Sequence, residues 1–439
     1  MPNSSLSETE PEMTGVADLA SMIMRECLNM ETQCQKDSIS PPSILVGAST
    51  AFWSETAPHL AASRSKALGL LEKLTTLLQG PRDFLHELVA SNWDHGALYA
   101  FLQTPALEYM VESGGFATLA SLSNVSGIPE DKLSRILALL RCKNLLREAE
   151  PGVFTLTAVS EELVKDADFR AWVEFQLFET RVASAHLSQA LASKPNGYST
   201  GTSGFKQGWG EEMYDWHTAH PERGDRFRRA MRGVSKSLDP ADSLLRKHIS
   251  GISPASKHQK IVEFGGRYGF ASVSLVQERS DICFEVRCDS QDFLQRGQAL
   301  VPASCQDRIE FTKLAVVAES ANVKDTTNVL AYVIRNVFWN WNDSDAIEML
   351  QKLIPTLRSV PSMRVIVTDG VSPAPGQYPP HVEIAYRRRD ITTMTMHNVK
   401  QRSQMEWLEL FSRVDPRLKV NSDFETSSHV CKGLWELRL

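Results

Sequence analysis

Val262-Glu263-Phe264-Gly265-Gly266-Arg267-Tyr268-Gly269 is a stretch whose residue types and spacing could hold a small molecule. It follows the apolar run KIVEF and opens a helical pattern. Glycines at such a junction let the backbone turn sharply and approach a ligand without Cβ clashes. Asp289 follows the next apolar run about twenty residues on, where a carboxylate accepts hydrogen bonds from ribose hydroxyls. It equally suits the N-cap of the helix after it. Glu263, Gly265, Gly266, Gly269 and Asp289 are the expected nucleotide contacts. Arg335 is a permanent multi-donor cation, able to bind a carbonyl and withdraw electron density from a conjugated system. His186, in VASAHLSQAL, could supply a proton or a second hydrogen bond. Each has a plainer alternative: Arg335 paired with an acid such as Asp369, and His186 packed on its own helix. Trp209, Met213, Trp216, Met231, Trp339, Met394 and Met396 would furnish an aromatic and thioether wall, or simply core.

The elements that must position these groups fall into blocks. At 439 residues the chain exceeds one ordinary core, so two domains and a tail are expected. Residues 1–55 read as a partly disordered extension carrying one helix, VADLASMIMRECLNM, which drapes over the next domain or over a second subunit. Residues 56–165 are mostly amphipathic helix. Within them a helix from Leu119 to Ser123, a turn at Gly127-Ile128-Pro129 and a helix from Asp131 to Cys142 make a helix-turn-helix, and LLREA and VFTLT form its wing. Residues 166–250 are helical, broken by the loop NGYSTGTSGFKQGWG. From 251 to 439 strands alternate with helices, among them one from Ser344 to Leu357 and others from Asp390 and Ser403, implying a parallel sheet covered on both faces. The closing runs LKVNSDF and HVCKGLWELRL suit an antiparallel pair.

Composition excludes several classes. Apolar content of 42% and charged content of 23% are those of a globular protein. A net charge of −6 gives no general attraction to nucleic acid or anionic membranes. Lys132, Arg135, Arg141 and Lys143 on the second winged-helix helix are interleaved with leucines and follow Glu130 and Asp131, so no basic stripe for phosphates forms. Seven cysteines, scattered and without a C-x-x-C pair, argue against a zinc site or a disulfide framework. No leader or membrane-spanning run is evident, which reads as a cytoplasmic protein.

NVLAYVIRNVFWNWNDSDAIEMLQKL reads as an apolar strand, a short polar turn and an amphipathic helix. It resembles the strand–turn–helix of plant-type (caffeic-acid-type) O-methyltransferases, which ends in a histidine, an acidic residue and Trp-x-Asp. Trp341 and Asp343 keep that frame, so Trp339 falls where the family keeps its proton-accepting histidine. Indole has an N–H donor and no basic lone pair. The resemblance covers residues 60–439. It implies an α/β class I methyltransferase Rossmann-like domain behind an N-terminal winged-helix dimerisation domain, with 166–250 as linker helices that line the top of the substrate pocket, a homodimer, S-adenosylmethionine as cofactor and a small-molecule substrate. It also implies that Asp369 holds the first of two histidine-orienting acid positions. The second, in a Lys-Glu-Arg-Thr motif, is here Lys400-Gln401-Arg402-Ser403, so Gln401 replaces the acid. Further departures are Arg267 for a glycine in the turn, Ser290-Gln291 for Leu-Pro after Asp289, and Ala315 for an acid near the adenine.

Loss of the base and one of its acids resembles the fungal O-methyltransferase-like pericyclases, which keep the fold and promote dehydration, hetero-Diels–Alder, Diels–Alder or Alder-ene steps on polyketide-derived intermediates. That expectation assigns Arg335 and His186 to polarise the substrate, with Trp339, Asp369 and Gln401 around them and the cofactor bound but not consumed. The alternatives are an S-adenosylmethionine-dependent O-methyltransferase acting on an acidic hydroxyl, and a non-catalytic partner protein.

Overall fold

The computed structural model describes residues 15–53, 58–192, 200–238, 243–254, 256, 258–266, 268–288, 291–313, 328–426 and 431–439. They form two compact units. One takes in the described residues of Met1–Glu179, Asp225–Gly233 and Pro379–Val382; the other those of Thr180–Gly224, Val234–Tyr378 and Glu383–Leu439. The helical segment 166–250 is thus divided between them.

In the first unit the early helix, Val16–Lys36, packs along the long helix Pro58–Leu102. Lys66 meets the buried Glu26 at 2.9 Å, and Cys34, Phe52 and Leu60 form a small shared core. The extension therefore drapes over its own chain. The long helix breaks at Gly80, φ +67°, because Pro81 disfavours helical backbone in the residue before it and brings no N–H of its own. A three-stranded sheet, β1 (Phe116–Thr118), β2 (Leu146–Glu150) and β3 (Val153–Leu156), runs in the order β1-β3-β2. Strand β1 adds to the two-stranded wing expected from sequence. Helix Glu130–Cys142 buries Leu133, Leu137 and Leu140 on one face, spaced by three and four residues as a helical stripe requires. Arg141 is paired with Glu148, and Lys143 with Asp94 and Glu87. The leucines serve packing, and two of the helix-end cations are neutralised by acids.

The second unit is built on a seven-stranded sheet. Its strands are β4 (Gln259–Phe264), β5 (Ile282–Cys288), β6 (Ile309–Lys313), β7 (Val329–Arg335), β8 (Val365–Gly370), β9 (Lys419–Thr426) and β10 (Cys431–Arg438). Their order is β6-β5-β4-β7-β8-β10-β9. The first five are parallel; β10 is inserted antiparallel between β8 and β9. The central strands read as continuous apolar runs because both faces are covered, and Ile261, Val286, Val333 and Ile366 lie in one core. Each such side chain contributes about 1.5–3 kcal/mol by leaving water.

Three expectations change. The helix expected from Ser344 to Leu357 is two, Asp343–Gln351 and Ile354–Ser359, divided ahead of Pro355, which is accepted only at the start of the second. The helix expected from Asp390 begins ten residues earlier, at Pro380, again with proline in the first turn. Part of the Gly/Ser-rich loop is helix Gly204–Trp209, capped by Ser203 Oγ on the Lys206 amide and ended by Gly210 at φ +86°.

Candidate active site

The glycine turn leaves β4 and enters helix Phe270–Glu278. Gly265 has φ +79°, and a Cβ there would stand 2.4 Å from Val337 Cγ2 and 2.7 Å from the Arg335 carbonyl. A Cβ on Gly266 would meet Glu263 and Val286 at 2.7 Å. Gly269, φ +71°, lies against the Phe311 ring. Glycine is required at all three positions by neighbouring protein atoms. Glu263 is buried and ties the turn together, accepting from Ser272 Oγ and from Arg335 Nε at 2.8 Å. Glu263 pairs in register with Val333 on β7, so Arg335, two residues on, shares its face. Arg335 therefore lies against Glu263 rather than Asp369, the partner its sequence position suggested. Asp289, Ser290, Arg267 and Ala315 lie outside the described residues.

Trp339 sits on a short turn, Phe338–Asn340, entered through Asn336 at φ +53°, a conformation asparagine tolerates. Three side chains clamp the backbone of this turn. Asp369, at the end of the adjacent β8, accepts from the amides of Phe338 at 2.9 Å, Trp339 at 3.2 Å and Gly370 at 2.8 Å. Arg402, 2% exposed, donates to the carbonyls of Phe338 at 2.8 Å and Trp341 at 2.7 Å, and its Nε reaches Asp343 at 2.8 Å. Gln401 Nε2 donates to the Trp339 carbonyl and to Thr393 Oγ1, each at 3.3 Å. Burial pushes the Asp369 carboxyl up to about 6, against the pull of the Gly370 amide, Arg402 and Lys432. The two acid positions named from sequence thus act on the backbone of residue 339. The indole Nε1 is buried and has no hydrogen-bond partner among the described residues.

An aromatic cluster adjoins this turn within the same unit. Trp209 and Trp216 lie 4.6 Å apart between ring centroids, Phe205 touches both, and Met213 is buried beside Trp216 on helix Met213–Ala219. Tyr214 accepts from Asn340 Nδ2 at 3.1 Å and stacks on His397 at 5.4 Å. Gly204 lies on Thr395, and Asn398 Nδ2 donates to Thr202 Oγ1 at 2.8 Å, so this cluster is seated on the end of helix Pro380–His397. Met394 is half-buried on that helix. His186 falls at the junction of helices Glu179–Ala185 and Leu187–Ala192, its ring on Gly208 and its Nδ1 3.1 Å from Gln189 Oε1. Met231 belongs to the first unit, on helix Pro221–Leu238.

Sequence reasoning passed over Tyr214, His217, Asn340 and His397. His397 is 6% exposed, and burial together with the neighbouring His217 pulls its imidazole down to about 4, so it is neutral at pH 7. The string MYDWHTAH contained the signal, two histidines at helical spacing among pocket-type aromatics. Nothing local distinguished them from surface histidines.

A sheet of this order, with a glycine turn after its central first strand, a reversed closing hairpin and a winged helix before it, defines a class I methyltransferase fold. No protein-family model matches the chain. It is 39% identical over 392 residues to O-methyltransferase phnC of Penicillium herquei, spanning 88% of this chain and 91% of that protein. The chain therefore belongs to the fungal O-methyltransferase family. Similar solved structures include LepI in complex with SAM, at TM-score 0.73, 16% identity and coverage of 96% of this chain and 100% of that one. The mitomycin 7-O-methyltransferase MmcR matches at TM-score 0.66, 18% identity and coverage of 81% and 97%. At these identities the likeness is one of fold.

Proposed function

We propose that this chain is a cyclase on an O-methyltransferase fold, promoting dehydration or pericyclic closure of a polyketide-derived intermediate. S-adenosylmethionine binds at the Glu263–Gly269 turn and is not consumed. One observation carries the reading. The position of the family's base is held by Asp369, Gln401 and Arg402, yet the side chain it presents is an indole that accepts no proton. An adenosyl ligand would be held at the glycine turn that Glu263, Ser272 and Arg335 knit together. When bound, the cofactor supplies a fixed sulfonium charge that favours electron withdrawal from the substrate.

The remaining work falls to this chain's own residues. Phe205, Trp209 and Trp216 offer an apolar wall that excludes water and holds a conjugated chain in one folded conformer. A pericyclic step redistributes bonds without gaining or losing an atom, so orientation is most of what a protein can add. Arg335, whose Nε is held by Glu263, is the cation assigned to polarise the substrate carbonyl, and His186 supplies a second hydrogen bond.

The test is incubation of the purified protein and cofactor with hydroxylated polyketide substrates, followed by mass spectrometry. An isomeric product, or one lighter by water, supports the proposal. A product heavier by one methylene, with S-adenosylhomocysteine released, replaces it by the second reading: methyl transfer to a hydroxyl acidic enough to be ionised already. The identity to phnC, a protein named as an O-methyltransferase, favours that alternative.

A further inference from the structure

We propose that His397, backed by His217, is the polar anchor of the substrate site and selects a ligand with an enolised 1,3-dicarbonyl, binding it together with one proton. The inference rests on the site proposed above and holds for cyclisation and methylation alike.

His397 is buried, stacked on the Tyr214 ring and within the fields of His217 and Glu212, and no hydrogen bond to its ring is found among the described residues. A buried polar group in a native protein normally has a hydrogen-bond partner, and an exception at a ligand site marks where the ligand supplies one. Tyr214 and His217 lie three residues apart on helix Met213–Ala219, so they present to one side. Tyr214 links this side to Asn340, the residue after Trp339. Tyr214, His217 and His397 thus gather at the edge of the aromatic group Phe205, Trp209 and Trp216, which also carries His220, and Asn340 joins them to the position where the family keeps its base.

A neutral imidazole has one donor and one acceptor. An enolised 1,3-dicarbonyl has the complementary pair, a hydroxyl and a carbonyl. A cyclic acid of this kind, such as an acyl tetramic acid, is largely an anion in water at neutral pH. Burying that anion beside a neutral imidazole would leave one uncompensated charge, which is costly. A single added proton, taken by His397, turns the pair into imidazolium and enolate and leaves it with no net charge. Glu212 is the acid whose field favours the proton on the imidazole, and His217 opposes it. Asp369 also titrates nearby, but its oxygens are occupied by the amides of Phe338, Trp339 and Gly370.

The experiment is calorimetric titration of the full chain with an acyl tetramic acid and with its O-methyl ether. Runs at pH 7 use two buffers of different ionisation heat, which reveals protons taken up. The tetramic acid should bring close to one proton and the ether none. His397→Phe keeps the stack on Tyr214; it should abolish the uptake and weaken the acid about tenfold while barely changing the ether, the loss of one charge-assisted hydrogen bond. Uptake that persists in a folded His397→Phe overturns the assignment, as does no uptake in the wild type, whatever the variant does. Failure of the cyclase reading shows separately, as absence of an isomeric or dehydrated product.

Discussion

Gln401 Nε2 donates to the backbone carbonyl of Trp339 across 3.3 Å, from the position where the family places an acid beside its histidine. A carboxamide can make this bond and a carboxylate cannot, because the carboxylate has no proton to give. The exchange of acid for amide at 401 is therefore coupled to the turn beneath Trp339 and not only to the loss of a base.

Gln401→Glu tests that coupling. It would set carboxylate oxygens against the Trp339 carbonyl and Thr393 Oγ1, in a place 8% exposed. Replacing a satisfied buried donor by an unpaired acceptor costs about 1–3 kcal/mol. Urea unfolding should show a lowered midpoint with unchanged slope, whereas Gln401→Met should lose less. Equal stability of the Glu variant and the wild type would mean that the carboxamide does not hold the turn.

Asp369 carries a pH signature. Its carboxyl is pushed up to about 6 when folded, from an ordinary value near 3.8, so the folded state holds its proton more tightly than the unfolded state. Its contribution to stability is complete below the unfolded value and is lost as pH rises through about 6. His397, pulled down to about 4 from 6.5, acts in the opposite sense: its contribution is complete above 6.5 and is lost as pH falls through about 4. The two cancel in part between these limits. His397→Phe should expose the Asp369 limb, with stability falling between pH 4 and 6 by on the order of 2 kcal/mol. Guanidinium unfolding at half-unit intervals of pH reads this directly.

Glycine at 265 is needed for space as well as for backbone conformation. Gly265→Ala places a methyl 2.4 Å from Val337 Cγ2 and 2.7 Å from a backbone carbonyl, at φ +79°. The expected loss is roughly 2–4 kcal/mol, overlap added to strain, with a weakened adenosyl cofactor in equilibrium dialysis. Gly80→Ala, at φ +67° with nothing within 4 Å, is the control and should cost only about 1–2 kcal/mol.

Arg402 makes a different kind of clamp. Its guanidinium spans two carbonyls and Asp343 while lying 5.0 Å over the Trp407 ring. Lysine has no planar fork, so Arg402→Lys keeps charge without the geometry. We expect it to lower thermal stability and to leave Arg402→Ala lower still, by about 3–5 kcal/mol against wild type, because Asp343 and two carbonyls lose their donor.

The parts of the fold that were legible in the sequence were those written in local pattern. The leucine stripe of helix Glu130–Cys142 repeats at the helical period, while KIVEF, VLAYVIR and the closing hairpin show as short runs of strand length with polar breaks between them. Prolines mislead: the apolar pattern runs one helix through Pro355 and starts another after Pro380, whereas both prolines open helices here. At the site, Trp339 and Gln401 stood out because a local motif frames them. The pairing of Arg335 with Glu263 depends on the register of β7 against β4, and the meeting of His397 with Tyr214 on two helices distant in sequence. Neither relation has a local signature.

Trp339→His is the last prediction. It restores an imidazole to a backbone that is already clamped, since the bonds from Asp369, Arg402 and Gln401 reach only main-chain atoms of this turn. The variant should therefore fold. In the family the histidine needs an acid to fix its tautomer and stabilise the imidazolium, but here the Asp369 oxygens are held by amides and Gln401 is not acidic. An unoriented imidazole is a poor general base, so the variant should gain no methyl transfer. It should also lose cyclisation, by about a hundredfold where an indole wall of that shape sets the reacting conformer. Product mass and released S-adenosylhomocysteine, measured together, decide the matter. Substantial methylation by the single variant would show that the indole alone blocks alkylation, and the chain would then be a methyltransferase whose base was lost by one substitution.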